Sequence, residues 1–150
     1  MLNSFIDTNI WLYRFFEDQR IEVLERERKR IIATSITEES NLIISTQVIN
    51  EISVNLLRRA NFQEERISSI NRELYNRCRV VEFNLTILES ASNLRTQYSF
   101  SFWDSLIVAS ALATSENMQD GLIISNQITL INPFDFARVD YQYDIIELVI

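Results

Sequence analysis

Asp7, Glu51 and Asp104 are the residues from which a reaction centre can be assembled in this chain. The composition removes most other options. With no histidine, there is no Ser-His-Asp triad, no Cys-His pair and no imidazole zinc site. One cysteine, Cys78, cannot build a thiolate cluster, and one glycine, Gly121, cannot build a P-loop or a dinucleotide fingerprint. Catalysis would fall to carboxylates, supported by hydroxyls, amides and arginines. Carboxylates brought together repel, and one or two divalent cations relieve the repulsion. With oxygen ligands alone, Mg²⁺ or Mn²⁺ is the natural choice. Such a centre suits phosphodiester hydrolysis.

Each acid also has an ordinary explanation. Asp7 follows the apolar run Phe5-Ile6, where it or Thr8 would serve as a helix N-cap. Glu51 sits at the edge of an apolar face set by Val48, Ile49, Ile52 and Leu56 at about 100° per residue, the usual place for a solvated glutamate. Asp104 matches the N3 position of a capping box that begins at Ser101. It is also the only charge between Phe102 and Ala113, in a helix apolar enough to be buried, where a carboxylate must be paired, coordinated or protonated.

The elements that must position these acids alternate. Strands are expected at residues 2–6, 42–45, 79–83 and 122–125, with a candidate fifth at 128–131. Helices are expected at 9–16, 19–39, 47–59, 63–77, 85–98 and 102–115. The tail from 140 to 150 is unassigned. Strands alternating with helices imply an α/β fold with a mostly parallel four- to five-stranded sheet covered on both faces. Ligands in such folds bind beyond the C-terminal ends of the strands. One acid follows the first strand, one lies in the helix after the second, and one precedes the fourth, so all three can converge on that edge.

The chain of 150 residues is 47% apolar, the size and composition of one domain spanning 1–150. No apolar run approaches the roughly eighteen residues of a membrane span, and the N-terminus lacks a basic signal-peptide region. The single cysteine agrees with a reducing, cytoplasmic setting. A net charge of −7 argues against a nucleic-acid binder that works through a general basic surface. It leaves open contact through a cation or local arginines; Lys29 is the only lysine.

Three segments resemble PIN-domain proteins: Phe5-Ile6-Asp7-Thr8-Asn9-Ile10, Val48-Ile49-Asn50-Glu51-Ile52, and the run from Ser101 through Asp104 to Ala111. They look most like the VapC-type toxins of toxin–antitoxin modules. The resemblance covers nearly the whole chain in order and spacing, and implies a PIN-like three-layer fold. It implies a Mg²⁺- or Mn²⁺-dependent endoribonuclease acting on RNA, a homodimer, and a small antitoxin as partner. Asp7, Glu51 and Asp104 would then be the metal-binding acids, with Thr8 and Asn9 in support.

The resemblance breaks at Ser115-Glu116-Asn117-Met118-Gln119, where the family often has Ser/Thr-Glu-Asp-Met/Leu-Gln. Asn117 takes the place of a fourth acid. Its carbonyl can meet a metal or a metal-bound water but brings no charge, and Glu116 or Asp120 would have to compensate. Two alternatives follow: a PIN-fold protein with weakened catalysis that acts by binding a partner, and a metal-dependent phosphoesterase. Trp11, Phe15, Phe16, Phe100, Phe102 and Trp103 are expected in core or dimer packing before base stacking. Arg14, Arg58 and Arg59 are expected on solvated faces, with RNA backbone contact as the alternative. Cys78 is expected to be inert.

Overall fold

The computed structural model describes residues 3–115 and the strands at 121–125, 137–140 and 145–149. The first four strands are β1 (Asn3–Ile6), β2 (Leu42–Ser45), β3 (Arg79–Val81) and β4 (Gly121–Ser125). They stand side by side as β3-β2-β1-β4, every neighbouring pair parallel. Beyond β4 the sheet continues antiparallel through β6 (Ile145–Val149) to β5 (Ala137–Asp140). Among the described residues the sheet therefore has six strands, more than the four or five expected: β6 falls in the tail that sequence pattern left unassigned, and β5 lies just ahead of it, where no element was expected. The candidate strand at 128–131 lies outside the described residues.

β1 and β2 are short apolar runs because both faces of the sheet are covered: Ser4, Phe5, Ile6 and all of Leu42–Ser45 are buried. The helices are α1 (Thr8–Phe15), α2 (Val23–Thr37), α3 (Thr46–Arg59), α4 (Glu64–Arg77), α5 (Leu85–Tyr98) and α6 (Phe102–Ser115). Trp11 of α1, Ile52 and Leu56 of α3, Ile87 of α5 and Ile107 of α6 are essentially inaccessible to solvent. They join Phe5, Ile6 and Ile44 in one apolar core. Trp11 is thus core, stacked on Phe15 at 6.0 Å, and Phe100 is buried as well. The described part of α6 from Ser105 onward is mostly buried, and its hydroxyls are satisfied within the helix: Ser110 donates to the Leu106 carbonyl and Thr114 to that of Ala111.

Two elements are clearly shorter than the periodicity implies. The expected helix at 19–39 is shorter, because the Glu22 carboxylate accepts from the N–H groups of Leu24 and Glu25 and caps the helix there. Upstream, Asp18 folds onto Arg20 and holds the chain in a turn. The expected strand at 79–83 stops at Val81. With one glycine in the chain, other residues take the left-handed positions: Asn41 (φ 62°) ahead of β2, Asn61 (φ 54°) after α3, and Ser99 (φ 52°) as the C-cap of α5. Asparagine tolerates this region better than most residues.

Cys78 is buried, and desolvation pushes its thiol up to about 11. It stays a protonated apolar group, as expected. Among the described residues, no helix is long and apolar enough to cross a membrane.

Candidate functional site

The chain leaves β1 for β2 and β3 on one side and returns to β4 on the other. The carboxyl edge beside β1 is therefore a topological switch point, where doubly wound sheets form clefts. Asp7 is the first residue past β1. Glu51 lies in the second turn of α3, which starts directly after β2. Asp104 lies in the first turn of α6, which leads down to β4. Asp7, Glu51 and Asp104 line one cleft of about 310 Å³ together with Thr8, Asn9, Leu12, Asn55 and Arg59.

Asp7 is buried and is the N-cap of α1; its Oδ1 accepts the Thr8 N–H at 2.7 Å. The capping explanation and the cleft position therefore hold together. Asn9 lines the same cleft. Glu51 is half-buried, and both its oxygens are engaged: Thr8 Oγ1 donates to Oε2 at 2.6 Å, and Gln47 Nε2 donates to Oε1 at 2.9 Å. Thr8 and Gln47 are themselves buried, so they hold the carboxylate in a set orientation.

Asp104 departs from expectation. It is half-buried, and its neighbours Phe102 and Trp103 are 53% and 57% exposed. The first turn of α6 emerges at the sheet edge, and burial begins at Ser105. The demand that a buried charge be paired therefore does not apply to it. Its N–H donates to Ser101 Oγ at 3.2 Å, half of the capping box. That bond uses the backbone; the carboxylate itself sits where the helix dipole favours negative charge.

Gln47, Asn55 and Arg59 were not singled out as partners of Glu51. They repeat at intervals of four with it, on one stripe of α3. Asn55 Nδ2 donates to the Glu51 carbonyl at 2.8 Å, and Arg59 Nη1 donates to Asn55 Oδ1 at 3.2 Å. That i, i+4 spacing is visible in the sequence, where only Glu51 and Arg59 draw notice and each has a solvated face as its ordinary explanation. Glu116 and Asn117 lie outside the described residues.

The lining offers carboxylate and amide oxygens, the donors that suit a hard cation. Among the described residues, no three acidic or cysteine side chains stand at metal-holding distances. The cleft gathers the acids without closing them on a point.

The comparisons agree with this architecture. The fold is similar to VapC20 of Mycobacterium tuberculosis, described as a sarcin-ricin loop cleaving toxin: TM-score 0.57, 17% identity, 79% of this chain and 87% of that one. It is also similar to a chain of a toxin–antitoxin complex from Klebsiella pneumoniae: TM-score 0.50, 18% identity, 75% of this chain and 80% of that one. No curated protein sequence matches. The family model of the PIN domain matches residues 4–127, a span that runs from Ser4 in β1 through β4 and holds all three cleft acids. With that match over most of its length, and an α/β fold that agrees, the chain belongs to the PIN domain family.

Proposed function

We propose that this chain is a single-domain, Mg²⁺- or Mn²⁺-dependent endoribonuclease, the toxin of a toxin–antitoxin module. The observation that carries the reading is the meeting of Asp7, Glu51 and Asp104, from three separate elements, in one cleft at the switch point of a PIN-domain sheet. Both solved structures of similar fold described above come from toxin–antitoxin systems or toxins, which supports the same class.

In this reading Asp7, Glu51 and Asp104 supply the oxygen ligands. When bound, the cation supplies an activated water and neutralises charge on the phosphate. Thr8 and Gln47 orient Glu51, and the Thr8 N–H orients Asp7. Asp104, half-buried and on the first turn of its helix, has the most freedom to adjust. A reducing, cytoplasmic setting, a homodimer and a small antitoxin as inhibitor complete the proposal.

The test is cleavage of single-stranded RNA by purified protein with Mg²⁺ or Mn²⁺, beside Asp7→Asn and Asp104→Asn. Cleavage is expected to fall to background in both variants. Equal activity in all three proteins would defeat the reading. Activity on a phosphomonoester but not on RNA would move the protein to the phosphoesterases.

A second reading rests on Asn117, which stands where the family often has an acid. With that charge missing, the fold would serve partner binding without catalysis. Calorimetry showing no metal uptake at millimolar Mg²⁺, with tight binding of a protein partner, would favour it.

A further inference from the structure

A second cavity, of about 390 Å³, opens beside the acidic cleft at the end of α1. The two share Asn9, Leu12 and Arg59 in their walls. Their charge is opposite. The second cavity carries Arg20, Lys29 and Arg59 against one carboxylate, Asp18, in a chain whose net charge is −7. A local concentration of cations on an acidic protein creates the field that captures an anion.

The cations are held in place. Arg59 Cζ lies 5.2 Å from the centre of the Phe16 ring, and Lys29 Nζ lies 5.1 Å from that of Tyr13. Asp18 accepts from Arg20 Nε at 3.0 Å and from Arg20 Nη2 at 2.8 Å, and it also pairs with Arg59. The hydrogen bonds from Arg20, then those from Arg59, hold the Asp18 carboxyl well below the usual carboxylate range. Asp18 therefore stays ionised and braces the two guanidinium groups. The Lys29 side chain is 22% exposed, and its Nζ also lies 3.8 Å from Glu25 Oε1, a long ion pair on the same helix.

We propose that this cavity is a phosphate subsite for single-stranded RNA, taking a phosphate adjacent to the one placed at the acidic cleft, with Lys29 and Arg59 as its contacts. A polymer with phosphates at a short repeat can span two compartments that share a wall, and Arg59 belongs to both. An acidic peptide would meet the same cations. It lacks the phosphodiester that the neighbouring cleft would hydrolyse in the ribonuclease reading, so continuity between the compartments favours RNA. The choice of RNA rests on the ribonuclease reading; the anion site rests on the cavity alone.

The experiment reads binding without cleavage. A short fluorescein-labelled oligoribonucleotide is titrated in EDTA against wild type, Lys29→Gln, Arg59→Gln, Arg59→Lys and Asp7→Asn, at several salt concentrations. Lys29→Gln and Arg59→Gln are expected to weaken binding severalfold and to lower the salt slope by about one each. Arg59→Lys should retain most of the affinity, and Asp7→Asn should bind at least as well as wild type. Thermal melts accompany each variant. Lower Tm values for Lys29→Gln and Arg59→Gln with wild-type affinity and slope would reduce these residues to structural braces and overturn the proposal. So would capture of an oligoglutamate peptide with RNA affinity insensitive to both substitutions. RNA binding that depends on Lys29 and Arg59 in a protein that cleaves nothing would uphold the subsite and defeat the nuclease. An active enzyme whose two variants bind RNA normally would do the reverse.

Discussion

Thr8 Oγ1 donates a 2.6 Å hydrogen bond to Glu51 Oε2, tying the first turn of α1 to the second turn of α3. Both helices begin at the carboxyl edges of adjacent strands, so the bond joins the two halves of the acidic cleft. Thr8→Val keeps the shape and removes the donor. It is expected to lower metal affinity and RNA cleavage by about 10- to 100-fold, the usual effect of losing a group that orients a ligand. Thr8→Ser should restore most of both. Manganese titration and single-turnover cleavage check this, and a Thr8→Val enzyme with wild-type metal affinity would remove Thr8 from the site.

Asp7 carries two roles that substitution can separate. Asparagine also caps helices, so Asp7→Asn should abolish cleavage while leaving stability within about 0.5 kcal/mol of wild type. Asp7→Ala also loses the bond from the Thr8 N–H and should cost about 1 kcal/mol in urea unfolding. Equal stability of the two variants would mean that the cap contributes nothing.

Ile52 follows Glu51 on α3 and is wholly buried in the core. Ile52→Ala is expected to cost about 2–5 kcal/mol in chemical denaturation, through lost burial and the cavity left behind. A cost under about 1 kcal/mol would mean that α3, and with it Glu51, packs differently.

Asp18 makes a prediction about pH. Its folded carboxyl is held below its ordinary value of 3.8, chiefly by the Arg20 hydrogen bonds. The native state therefore favours the charged form. The stability this contributes is complete above pH 3.8 and is lost as pH falls below that value. Asp18→Asn should be less stable than wild type near neutrality, by about 1 kcal/mol or less for a partly screened pair. The gap should close as the solution is acidified. Melting curves across that range check the sign, and a gap that widened in acid would refute it.

Much of the fold was legible because its signals are local. Leu42-Ile43-Ile44 reads as a covered strand from three adjacent side chains, and Ser45 caps α3 within one helical turn. The order of strands and helices then directs attention to the carboxyl edge of the sheet. Asp7 was chosen by that logic, whereas Glu51 was chosen mainly on the resemblance to the PIN family, and the fold sets both in one cleft. Asp104 was found for a partly mistaken reason. Its helix is indeed apolar, but pattern alone does not show where a helix surfaces.

What the sequence determined by itself was the chemistry available, carboxylates and arginines without imidazole or thiolate, and the alternating elements that carry them. Tertiary structure decided which of those groups meet. Thr8 and Glu51 are 43 residues apart, Asp18 and Arg59 are 41 apart, and both pairings depend on how α1 and α3 pack. Side-chain periodicity reports which face of an element is apolar, not what stands opposite it. For that reason Arg59 looked like one more solvated arginine until the fold set it at the wall between an acidic cleft and a basic cavity.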